Sequence, residues 1–101
     1  VLLRVERERD FWIIDDEQMV TGSIDRLIVF EREGKPIAAE IIDFKTDRAT
    51  PGDRARLQEL ADRYRPQLAA YCRAVARMLQ LPAECVVARL LVTQAGEAVS
   101  I

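Results

Sequence analysis

The sequence predicts an α/β domain with its elements in the order β-β-β-α-β-β, and three observations carry that expectation. Up to residue 46, apolar and polar residues alternate with the period of two that a half-buried strand shows. Leu57, Leu60, Ala61, Tyr64, Leu68, Tyr71, Cys72, Val75, Met78 and Leu79 then recur every three or four residues, as along one face of a helix. Residues 85–93 return to a nearly continuous aliphatic run, read as a strand buried on both faces.

Taken in order, residues 1–14 place Leu3, Val5, Phe11 and Ile13 on one parity with charges between them, which suits a long, partly exposed strand whose charged middle could hold a bend. Asp15-Asp16-Glu17 makes a polar turn, residues 19–30 a second strand and residues 37–45 a third, joined by the polar turn 31–36 as hairpin partners. Gly22 inside the second strand fits either a bulge or the close approach of another backbone or a ligand. Pro51-Gly52 ends the β region. Because proline is tolerated in a first helical turn but not further in, Pro66 predicts a short helix or turn from about residue 53 and a main helix over about 65–80. Residues 98–101 begin one more strand.

With 101 residues the chain makes one domain, and it opens inside a β stretch as a fragment of a larger polypeptide would. Fifteen Lys and Arg against 17 Asp and Glu leave no global positive field, so contact with nucleic acid needs a local patch. Two cysteines, Cys72 and Cys85, are too few for a metal-cluster framework, and no apolar run reaches membrane length; we expect a reduced, soluble, cytoplasmic protein with no membrane partner. Cys72 is expected to pack on the helix and Cys85 to lie in a strand.

The chain contains no histidine, which excludes a Ser-His-Asp or Cys-His triad and an imidazole-ligated zinc within these residues. Carboxylate chemistry remains. On a strand over 37–45, Ile37, Ala39, Ile41, Asp43 and Lys45 share one face, and the hairpin brings Asp25 towards the last two. Two aspartates on adjacent strands offer hard oxygen ligands suited to Mg²⁺ or Mn²⁺, and a neighbouring lysine can hold an attacking water or stabilise charge on a phosphate. Asp-x-Lys alone is a common triplet at solvated strand ends.

Three motifs in fixed order narrow the field: Gly22-x-x-Asp25, Asp43-Phe44-Lys45-Thr46, and Tyr64-Arg65-Pro66-Gln67-Leu68-x-x-Tyr71. Together they resemble the PD-(D/E)XK nuclease superfamily, most closely the C-terminal nuclease domain of UvrD-like helicase–nucleases of the AddA and RecB class. The resemblance implies a restriction-endonuclease-like core with a mixed central sheet and a Mg²⁺- or Mn²⁺-dependent deoxyribonuclease, acting as an exonuclease in DNA end processing and recombinational repair. It implies Asp25 and Asp43 as metal ligands, with the Phe44 carbonyl completing the set, and Lys45 as the catalytic lysine. Gln67 and Tyr71, one helical turn apart, match a Gln-x-x-x-Tyr signature beside the site; core packing for Tyr71 and a cap for Gln67 are the alternatives. Members also carry a His or Glu ligand on a helix before the first strand. That helix is expected to lie outside this fragment, and the activity of the isolated fragment depends on it. The implied partners are DNA, helicase domains of the same chain and a second helicase–nuclease subunit. The competing class is a non-catalytic DNA-binding or scaffold domain that keeps the fold. The iron–sulfur relatives need four cysteines, which Cys72 and Cys85 do not supply.

Arg48, Arg54, Arg56, Arg63, Arg65 and Arg73 follow the proposed site and could neutralise flanking phosphates, although a solvated helix face accounts for most of them. Arg65, beside Gln67, is the preferred DNA contact. Trp12 is expected in the core, with base stacking the minor alternative.

Overall fold

The computed structural model describes residues 1–101. Five strands, β1 (Leu2–Asp15), β2 (Gln18–Arg32), β3 (Lys35–Lys45), β4 (Val86–Val92) and β5 (Glu97–Ser100), form one sheet in chain order. The pairings β1–β2, β2–β3 and β4–β5 are antiparallel, whereas β3 and β4 run parallel. A parallel pair needs a crossover, and α1 (Arg54–Leu79) provides it. The expected α/β class, element order and mixed sheet are therefore present.

The helix differs from the expectation in where it starts. It is one element from Arg54 to Leu79 with Pro66 inside it, rather than a main helix from about 65. The physical reason is burial on both sides of the proline: Leu57, Leu60 and Ala61 before it, and Leu68, Ala74 and Val75 after it, are buried against the sheet. Each buried leucine contributes roughly 1.5–3 kcal/mol, enough together to exceed the roughly 3 kcal/mol that an interior proline costs. The ends are conventional. Asp53 caps the first turn by accepting from the Arg56 N–H at 3.1 Å. Gln80 ends the helix in the left-handed conformation at φ 56°.

One helix covers one sheet face, and the strands record this. Val86, Ala88, Leu90 and Val92 of β4 point into the core, while Val87 is 51% exposed and Arg89 is free to pair with Glu40 at 3.1 Å. β4 is thus buried on one face only, a correction to the reading of residues 85–93; a continuous apolar run tells the composition of a strand but not how many layers pack on it. Trp12 is a second correction, being 68% exposed on β1. Cys85 lies in a short 3-10 turn before β4 rather than in a strand, and Cys72 is half-buried on α1.

The β1–β2 ribbon exchanges faces near the site. Glu8 and Asp25 stand opposite each other between the pairs Arg7–Arg26 and Arg9–Ile24 but are left out of the ladder, and Glu8 has φ 51°. On one side of this break Leu27 and Val29 are the buried residues of β2; on the other, Ile24 of β2 and Phe11 of β1 turn inward. Leu3 and Val5 share a parity with Phe11 yet are exposed for this reason.

Candidate active site

The β2–β3 ladder closes with the pair Arg26–Ile42, so Asp25 and Asp43 occupy the next rung, where the two strands begin to part. Asp25 fills the gap with its side chain: its Oδ2 accepts from the Phe44 backbone N–H at 2.8 Å. That bond ties the two strands together at the point where their backbone pairing ends. Asp43 continues the inward face of Ala39 and Ile41 and is 6% exposed, the only buried charged residue of the chain. β4 supports β3 from the other side, where Thr93 donates to the Lys45 carbonyl from both its N–H (3.0 Å) and its Oγ1 (3.2 Å).

Lys45 Nζ lies 2.9 Å from Asp43 Oδ2. The ammonium is the one polar group set against this buried oxygen. Burial is the main force raising the Asp43 pKa above its ordinary 3.8; the nearby Asp25 carboxylate adds to it and Lys45 opposes it. For Lys45, burial works to lower the pKa, but the ion pair with Asp43 wins and holds it above 10.5. Two neighbouring carboxylates, one with a buried oxygen whose polar neighbour is the Lys45 ammonium, form an acceptor set suited to a hard divalent cation, which would offset the desolvation cost. No third His, Cys, Asp or Glu joins them in a metal-sized cluster. Mg²⁺ commonly keeps several waters and takes only one or two protein carboxylates, so the donor set fits such an ion.

α1 closes the site from above. Tyr64, Gln67 and Tyr71 fall on one helix face, and the Tyr64 ring covers Lys45, with Nζ 4.3 Å from the ring centroid. Gln67 Nε2 donates to the Tyr71 hydroxyl at 3.3 Å, and neither side chain hydrogen-bonds to Asp25, Asp43 or Lys45. Tyr71 is half-buried, packing edge-on against Phe11 at 5.1 Å between centroids. Of the expected DNA contacts, Arg65 is paired with Asp62 at 3.1 Å. Arg56 and Arg63 pair with Glu59, and Arg73 with Asp15. Sequence reasoning assigned no site role to Tyr64, Asp47 or Thr93. Tyr64 stood only as a member of the apolar stripe and the first residue of the helix motif. Asp47 and Thr93 carry no local signal, because only the tertiary fold brings them to Lys45 and its neighbours.

Gly22 has a defined role. A Cβ there would stand 2.8 Å from Cε1, Cζ and the hydroxyl oxygen of Tyr71, so the glycine lets the ring lie on β2, and the close-approach alternative holds with a side chain as the approaching group. Gly22→Ala sets a gain of roughly 0.5–1 kcal/mol for removing a strand glycine against roughly 1–3 kcal/mol for overpacking. The ring is held by Phe11 and Gln67 and yields poorly, so a net loss of about 1 kcal/mol is expected. In a Tyr71→Ala background the same change should stabilise. Denaturation midpoints of the four proteins measure this coupling, and a zero coupling would contradict the packing described.

A mixed sheet with a crossover helix on one face, and an Asp-Asp-Lys cluster at the opening between β2 and β3, define a restriction-endonuclease-like domain. The model of the PD-(D/E)XK nuclease superfamily matches residues 2–99, and the chain belongs to that superfamily. It is 42% identical over 66 residues, 65% of its length, to an ATP-dependent helicase/nuclease subunit of Desulforudis audaxviator (strain MP104C). It is 32% identical over 88 residues, 86% of its length, to the like-named subunit of Limosilactobacillus fermentum (strain NBRC 3956 / LMG 18251). The matched stretches are only 5% and 6% of those relatives' lengths.

Proposed function

We propose that this chain is the DNA nuclease module of a larger helicase–nuclease polypeptide. It hydrolyses phosphodiester bonds with Mg²⁺ or Mn²⁺ as an exonuclease in the cytoplasm, during DNA end processing and recombinational repair. The observation that carries this reading is the meeting of Asp25, Asp43 and Lys45 at one strand opening, with the Asp43 carboxylate buried beside the lysine ammonium. Family membership and the names of the two relatives support it. No helix is long and apolar enough to cross a membrane.

In this reading Asp25 and Asp43, with the Phe44 carbonyl, would hold the cation, whose chemistry there would be Lewis-acid stabilisation of charge on a phosphate. Asp25 has a second duty, since its bond to the Phe44 N–H fixes the peptide that links the Asp43 and Lys45 side chains. Lys45 presents its ammonium to the attacked phosphate, where it holds the attacking water or stabilises developing charge. Gln67 and Tyr71 line the approach from α1, and Arg65 exchanges its exposed partner Asp62 for a DNA phosphate at little cost, because a surface ion pair is worth about 0–1 kcal/mol. Helicase domains of the same polypeptide deliver the DNA, and a second helicase–nuclease subunit is the expected partner.

Mn²⁺ binding tests this reading against a non-catalytic scaffold. Asp25→Ala and Asp43→Ala should each weaken binding by at least the roughly tenfold that even a supporting partner contributes at a metal site. Affinity should rise with pH through the raised Asp43 pKa, because the proton competes with the cation. Without metal the stability trend is opposite in sign: the Asp43 contribution is full below 3.8 and is lost as pH rises through its higher folded value. Calorimetric titration over pH and thermal melts with and without Mn²⁺ give both slopes. Binding that neither aspartate controls would leave the scaffold reading in place.

A further inference from the structure

We propose that Tyr64 is a positioning residue for Lys45, an inference that rests on the nuclease reading and extends it. A lysine side chain has a flexible four-carbon stem, so a catalytic ammonium needs restraint from more than its backbone. Thr93 fixes only the main chain of Lys45. Asp43 restrains the ammonium at 2.9 Å, but its oxygens are the ones a cation would claim. The Tyr64 ring, 4.3 Å from Nζ, is the partner that does not compete for those lone pairs. It holds the ammonium in the same place whether or not the carboxylate is otherwise engaged.

The ring is itself fixed from behind. The Tyr64 hydroxyl lies 3.0 Å from Asp47 Oδ1 and 2.9 Å from Oδ2, donating into the carboxylate. Arg63, one residue earlier on α1, pairs with the same carboxylate at 3.3 Å. The line Arg63, Asp47, Tyr64, Lys45 therefore ties the helix, the loop after β3 and the ammonium together. Core packing of the ring explains its burial but not the bond to Asp47 or its stacking over a charge.

The chain has only two lysines, so ¹³C-lysine NMR resolves the question, with exposed Lys35 as internal reference. The Lys45 ε-methylene signals should lie upfield of those of Lys35 through the ring current of Tyr64. Tyr64→Leu should bring the two sets together, and Tyr64→Phe should restore most of the displacement. Asp47→Ala, a loop change outside the core, removes the same bond as Tyr64→Phe, so both should leave most of the displacement, reduced alike by the looser ring. In the larger polypeptide, Tyr64→Leu should lower kcat roughly tenfold, the scale of one cation–π contact, with KM for DNA and Mn²⁺ affinity unchanged, and Tyr64→Phe should recover most of the loss. An unaltered Lys45 signal in both Tyr64→Leu and Asp47→Ala would overturn the proposal, as would a lost displacement with undiminished kcat. Absence of cleavage by the wild type would overturn the nuclease reading and the positioning role in cleavage together, whereas the spectral outcome judges the ring and lysine alone.

Discussion

Asp43→Ala is expected to abolish Mg²⁺-dependent DNA cleavage by the larger polypeptide, while Lys45→Ala slows it by roughly two to four orders of magnitude and leaves Mn²⁺ bound. The difference follows from where each group sits. Asp43 is the buried member of the pair, and its desolvated carboxylate is the acceptor with most to gain from a cation. Alanine removes that acceptor. In the proposed reading Lys45 contributes no ligand and its ammonium acts at the phosphate, so its loss should leave Asp25 and Asp43 where the β2–β3 opening places them.

Neither change should unfold the domain. Removing Asp43 eliminates a desolvated carboxylate, and the Lys45 ammonium left behind keeps the Tyr64 ring and partial exposure. The measurement is a single-turnover digestion of labelled DNA beside a Mn²⁺ titration on wild type and both variants, with circular dichroism to report the fold. Undiminished cleavage by Asp43→Ala would remove the nuclease reading. Loss of Mn²⁺ in Lys45→Ala would instead mean that the lysine organises the metal site, not only the phosphate.

How far the site could be read from the sequence depended on the range of the interactions. Strand parity put Asp43 and Lys45 on one face, because alternation needs nothing beyond neighbouring residues. Hairpin pairing brought in Asp25, although the strands part at that rung and its carboxylate bonds to the Phe44 N–H in place of a backbone partner. The charged middle of β1 signalled a bend, and Glu8 breaks the ladder there, but the exchange of faces was not legible, since a break shared by both strands leaves the register unchanged and only the burial pattern reveals it. Nor were the exposure of Val87 and Trp12, which depends on how many layers cover the sheet. Tyr64 over Lys45 was out of reach for a related reason: it joins residues whose elements meet only after α1 crosses back over the sheet.

Pro66→Ala should stabilise the chain by about 2 kcal/mol, and this result tests how local propensity lost to tertiary packing. At an interior position of α1, proline has no N–H for the Asp62 carbonyl and costs roughly 3 kcal/mol relative to alanine. Its ring is exposed, so little packing is lost on truncation. Against the gain stands the stiffness proline gives the unfolded chain, worth roughly 0.4–1 kcal/mol. The difference is positive, and for a domain of this size it corresponds to a rise of about 10 °C in Tm, read by thermal melts and by the denaturant midpoint. An unchanged or lower midpoint would show that the Asp62 carbonyl left without its N–H partner costs little at this position. The cleavage assay on the same variant carries the functional half of the argument. Pro66 directly precedes Gln67, so a more stable protein with slower cleavage would mean that the proline is kept to aim that side chain, whereas equal cleavage would make it a purely local cost that the helix's buried face outweighs.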